Sequence, residues 1–120
     1  MKSRVLVVDD SPFIYKAIKR YLEPHGYEIV GHAENGVQGL AMIEQLTPDV
    51  ITLDVTMPML DGLGVATELG TERTANVIMI SAMGDGDLLR QAQALGVKHF
   101  LTKPFQPDEL VSLIENLVRN

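Results

Sequence analysis

At 120 residues the chain is about the size of one average domain, and 46% hydrophobic with 22% charged residues is ordinary globular composition, enough for a sizeable core. No stretch approaches the roughly 20 apolar residues of a membrane span, and the apolar run behind Lys2 and Arg4 is only Val5 to Val8, so no export signal is read and a cytoplasmic location is expected. A net charge of -6 argues against direct nucleic-acid binding, and the absence of cysteine excludes disulfides and thiolate metal sites.

The first element is the continuous apolar run VLVV (Val5 to Val8), which reads as a buried strand and stops at Asp9 and Asp10. Ser11-Pro12 then supplies a helix cap and a proline at the first helical position, followed by Ile14, Ala17, Ile18, Tyr21 and Leu22 at helical spacing. EIVGH (Glu28 to His32) is a second strand. Asn35-Gly36 opens a helix with Val37, Leu40, Ile43 and Leu46 on one face, and DVITL (Asp49 to Leu53) is a third strand after Thr47-Pro48. The second half predicts a short helix between Asp61 and Gly70, the strand VIMI (Val77 to Ile80), a helix near Asp87 to Leu95 closed by Gly96, and the strand KHFL (Lys98 to Leu101). A last helix opens with Pro107, Asp108 and Glu109, acidic residues suited to a helix N-terminus, and carries Leu110, Leu113, Ile114, Leu117 and Val118 on one stripe.

Five βα units of this kind predict a single α/β domain over residues 1–120, a doubly wound five-stranded parallel sheet with helices on both faces. VLVV, VITL and VIMI are apolar throughout and read as central strands; EIVGH and KHFL carry polar residues and read as edges. With right-handed crossovers the natural order is 2-1-3-4-5, the flavodoxin-like arrangement, whose ligands bind beyond the carboxyl ends of the strands between strands one and three. Asp9, Asp10, Asp54, Ser81 and Lys103 all fall at that edge.

Three carboxylates so close repel one another, and a cation relieves the repulsion. Oxygen ligands without His or Cys select a hard ion, and an open carboxylate site that also meets phosphate suits Mg²⁺, with Mn²⁺ as a substitute. Lys103 and the Ser81 hydroxyl complete what is needed to neutralise a transferring phosphoryl group. A carboxylate can be the nucleophile, and Asp54 stands alone at the middle of the edge, while the adjacent Asp9-Asp10 pair is better placed for the metal. Each residue taken singly also has an ordinary role. Asp9, Asp10 and Ser11 before Pro12 could simply cap a helix, Asp54 could close a turn, Ser81 could be a loop serine and Lys103 a solvated one. Their common edge is what those roles do not predict. Met57, Met59, Met79 and Met83 read as core and loop filler, and His25, His32 and His99, with no partner at ligand spacing, as structural or surface residues.

VLVVDDS, LDVTMPMLDG, MISAMG and FLTKPF resemble, in order and spacing, the motifs of response-regulator receiver domains of two-component signalling, over essentially the whole chain. DVTMP and KPFQP look most like a free-standing chemotaxis-type regulator. The resemblance implies that Asp54 accepts a phosphoryl group from a histidine kinase, that Asp10, Asp54 and the backbone carbonyl of Thr56 bind Mg²⁺ with Asp9 helping through water, and that Ser81 and Lys103 contact the phosphoryl oxygens. It also implies that Phe100, where Tyr is frequent in the family, moves on activation, and that Lys103-Pro104 is a cis peptide. A receiver is not an enzyme for other substrates, and catalyses only its own phosphorylation and dephosphorylation. The partners implied are the kinase and an output protein that binds helix four, strand five and helix five, the chain otherwise acting as a monomer without nucleic acid or membrane. If the chain is complete at Asn120, output must pass by protein contact. Two rivals are a scaffold that is never phosphorylated and a Mg²⁺-dependent phosphohydrolase of the haloacid-dehalogenase type. The latter looks for a second Asp two residues after the nucleophile, where this chain has Thr56.

Overall fold

The computed structural model describes residues 3–71, 73–82 and 86–119, with Arg119 described by its backbone alone; Met83 and Asn120 lie outside the described residues. Five strands, β1 (Arg4–Val8), β2 (Glu28–Ala33), β3 (Val50–Asp54), β4 (Asn76–Ser81) and β5 (His99–Thr102), alternate with α1 (Pro12–Leu22), α2 (Gly36–Leu46), α3 (Gly62–Leu69), α4 (Gly86–Ala94) and α5 (Pro107–Arg119). All strand pairs are parallel and the order is β2-β1-β3-β4-β5, as the strand composition predicts.

The two-sided burial of the middle strands explains their sequences. Leu6, Val8, Ile51, Leu53, Val77 and Met79 face the layer containing Val65, Ala66 and Ala92 of α3 and α4. The alternating residues Val5, Val7, Val50, Ile78 and Ile80 face Ile18 and Leu22 of α1 and Leu110 and Ile114 of α5. Each fully buried Val, Leu or Ile contributes about 1.5–3 kcal/mol relative to exposure. On β2 the burial is only partial, and Glu28 is exposed, as befits an edge.

Helix starts follow local chemistry. The Ser11 hydroxyl accepts from the Ile14 N–H at 3.3 Å, Asn35 Oδ1 from Gln38 at 2.8 Å and Asp61 Oδ1 from Gly64 at 2.8 Å, each satisfying an orphan donor of a first turn. Some boundaries differ by a residue from the sequence reading. Asp49 stays outside β3 because its carboxylate accepts the Arg4 N–H at 2.7 Å. Beyond α1 a 3₁₀ turn, Glu23–His25, closes on Gly26 at φ 89, a short element that periodicity does not reveal.

The Asp61-Gly62 pair has a reason beyond the cap. A β-carbon on Gly62 would lie 2.4 Å from the Asp54 carbonyl oxygen, so the N-terminus of α3 approaches the end of β3 only because residue 62 has no side chain. Gly62→Ala is expected to cost about 1–3 kcal/mol by overpacking, and to shift the Asp54 and Val55 amide resonances. Parent-like urea unfolding of that variant would contradict the close approach.

Candidate functional site

The carboxyl edge of the sheet gathers side chains from four segments. The loop after β1 provides Asp9 and Asp10, β3 ends on Asp54, β4 ends on Ser81, and Lys103 follows β5. One oxygen from each of Asp9, Asp10 and Asp54 lies within 4.8 Å of the others. Asp54 is 6% exposed and Asp9 1%, while Asp10 is open to solvent. Lys103 Nζ lies 3.2 Å from Asp9 Oδ2 and 3.5 Å from Asp54 Oδ1. The Thr56 N–H donates to Asp54 Oδ1 at 3.4 Å, and the Ser11 N–H to Asp9 Oδ1 at 2.8 Å.

These neighbours push the Asp54 carboxyl up to about 6 from its ordinary 3.8. Burial is the largest cause and the Asp9 charge the next; the Lys103 ammonium and the Thr56 N–H oppose them, and Asp10 adds a little more. Three carboxylates face one ammonium, so negative charge is in excess. Ser81 Oγ is buried and makes no hydrogen bond among the described residues, and the buried Asp9 Oδ2 has the Lys103 ion pair but no hydrogen bond. An oxygen-only donor set with surplus charge fits a hard dication.

The response regulator receiver domain is the family whose profile matches, over residues 5–115. This chain belongs to that family. Among curated receiver proteins it is similar to the chemotaxis protein CheY of Bacillus subtilis, 39% identical over 115 residues that cover 95% of this chain and 96% of that one. CheY of Thermotoga maritima is 36% identical over 118 residues, with 98% of each chain covered. Among solved structures, the CheX-CheY-BeF3-Mg²⁺ complex of Borrelia burgdorferi contains a chain that superimposes with a TM-score of 0.88 at 29% identity, over 97% of this receiver and 89% of that chain. The response regulator domain of Thermotoga maritima CheB gives a TM-score of 0.89, also at 29% identity, and covers this receiver completely.

The remaining positions singled out in the receiver's sequence fall as follows. Thr56 is exposed beside Asp54. Phe100, half-buried, pairs in register with Met79 and packs on the α3–α4 side of the sheet. Ser81, paired with Thr102, alternates onto that same face. The Lys103-Pro104 peptide is cis. Met57 and Met79 are buried, whereas Met59 is 79% exposed in the β3–α3 loop at φ 70. His25 is exposed and His99 half-buried, its pKa lowered by burial and by Lys98.

His32 lies closer to the site than its sequence position suggests. Its Nε2 is 2.7 Å from the Asp9 carbonyl oxygen, and its ring stacks on Tyr15 of α1 with centroids 4.3 Å apart and planes 4° from parallel. Sequence reading missed this contact because it joins the end of one strand to the backbone of another. The available signal was that β2, like β1, ends at the site edge.

Proposed function

We propose that this receiver is a chemotaxis-type phosphorelay response regulator whose Asp54 takes a phosphoryl group from a histidine kinase. The observation that carries this is a nearly buried carboxylate at mid-edge, with an ammonium 3.5 Å away and two further carboxylates within ligand distance. A free oxygen of Asp54 attacks the phosphorus of a phosphohistidine; the O–P bond forms as the P–N bond breaks, and the released imidazole nitrogen keeps the electron pair and takes a proton from solvent. Asp10, Asp54 and the Thr56 carbonyl would hold Mg²⁺, or Mn²⁺ in its place, with Asp9 assisting. When bound, the ion supplies positive charge against the phosphoryl oxygens. Lys103 supplies a second positive charge there.

Ser81, whose hydroxyl has no partner among the described residues, donates to the phosphoryl group once it is present. Its movement frees space on the face it shares with Phe100, whose ring turns inward and reshapes the surface of α4, β5 and α5 for an output protein. Ser81→Ala and Phe100→Ala are both expected to accept phosphate at Asp54 yet lose most of the phosphorylation-induced NMR shifts in α4 and β5. Full shifts in either variant would sink that coupling.

The chemistry is tested by mixing the protein with a small phosphodonor and Mg²⁺. One labile phosphate per chain is the expected result. Steady hydrolysis of an unactivated alkyl phosphomonoester would indicate a phosphohydrolase, and no label a scaffold.

A further inference from the structure

Asp9 is restrained at four points. Its N–H donates to the Ala33 carbonyl at 2.9 Å, its Oδ1 accepts from Ser11, its Oδ2 faces Lys103, and its carbonyl oxygen meets His32 Nε2 at 2.7 Å. A carbonyl oxygen only accepts, so Nε2 must carry a hydrogen there. The bonded carbonyl belongs to the peptide that joins Asp9 to Asp10, the two adjacent carboxylates of the cluster. Asp9 is therefore gripped from β2 by two consecutive residues: the Ala33 carbonyl holds the preceding Val8-Asp9 peptide, and the His32 ring holds the Asp9-Asp10 peptide itself. The ring is in turn held in plane by Tyr15, one turn into the helix that Ser11 caps.

We propose that His32, clamped by Tyr15, is a positioning residue for the acidic cluster: it fixes the Asp9-Asp10 peptide so that both carboxylates are presented to the metal together. This rests on the reading of the cluster as a Mg²⁺ site. Outer partners of ligand-bearing groups set ligand orientation, and their loss typically weakens metal affinity about 10- to 100-fold. Because the bond is to backbone, a side chain with an N–H donor of similar reach performs the same task in part, whereas an aliphatic one does not. Tyr15 acts one step further out, by removing rotational freedom from the imidazole.

The test uses the whole chain labelled with ¹⁵N, first in EDTA and then titrated with MgCl₂. His32→Ala is expected to lower the order parameters of the Asp10 and Ser11 amides in metal-free buffer and to weaken Mg²⁺ binding about tenfold, with the amide shifts of α3, α4 and α5 unchanged. His32→Gln, which keeps an N–H donor, is expected to recover most of the affinity, and Tyr15→Leu to fall between the two. Parent-like Asp10 and Ser11 order together with parent-like affinity in His32→Ala would overturn the proposal, as would equal losses in the Ala and Gln variants. If the parent failed to bind Mg²⁺ while the amides still loosened in His32→Ala and not in His32→Gln, the positioning role would stand and the metal reading would fall.

Discussion

In EDTA near neutral pH, Asp54→Asn is expected to be more stable than the parent by about 3 kcal/mol, a gain obtained by deleting the group on which the proposed function depends. The unfolded chain ionises this carboxyl near its ordinary 3.8, while the folded protein holds it protonated up to about 6. Between those values the native state binds the extra proton, so parental stability falls as pH rises and the whole penalty is in place above about pH 6. Asn carries no titrating proton and avoids that loss. The advantage of the variant should therefore vanish below about pH 4, grow across the window and level off above it. Urea unfolding at several pH values checks the curve. An equal advantage at pH 4 and at neutral pH would mean that packing, and not the buried charge, sets the difference.

Lys103→Met is expected to act in the opposite direction. Lys103 is the cation that meets both Asp9 and Asp54, and removing it leaves two nearly buried carboxylates facing each other. Breaking a fully buried pair costs about 3–5 kcal/mol; here the lysine side chain is 26% exposed, and about 2 kcal/mol near neutral pH is the expected loss. The lysine lowers the Asp54 pKa, so its removal raises that pKa further, and the deficit should shrink as the medium is acidified and the carboxyl protonates. In a double-mutant cycle, Asp54→Asn should restore part of what Lys103→Met removes. Strict additivity of the two changes would show that the ammonium does not interact with Asp54.

The fold was largely legible because its cues are local and repeated. VLVV, VITL and VIMI are apolar at every position since β1, β3 and β4 are covered on both faces, and the caps Ser11 and Asn35 and the Pro107 helix start sit where the helices begin. The grouping of Asp9, Asp10, Asp54, Ser81 and Lys103 followed from topology, since the carboxyl ends of parallel strands share an edge. What escaped was non-local. The role of Gly62 depends on a carbonyl eight residues back in a different element, and the grip of His32 on Asp9 joins atoms 23 residues apart. The turn at Glu23–His25 is too short to show a period.

The phosphoacceptor assignment has a direct chemical readout. Acyl phosphates are reduced by borohydride to alcohols, so a phosphorylated aspartate becomes homoserine and its position can be read from peptide masses. After incubation with a small phosphodonor and Mg²⁺, the account predicts homoserine in place of Asp54, in the peptide spanning β3 and its loop, and none in Asp54→Asn. Homoserine at Asp9, at Asp10 or at any other aspartate of the parent, or its persistence in the variant, would contradict the account.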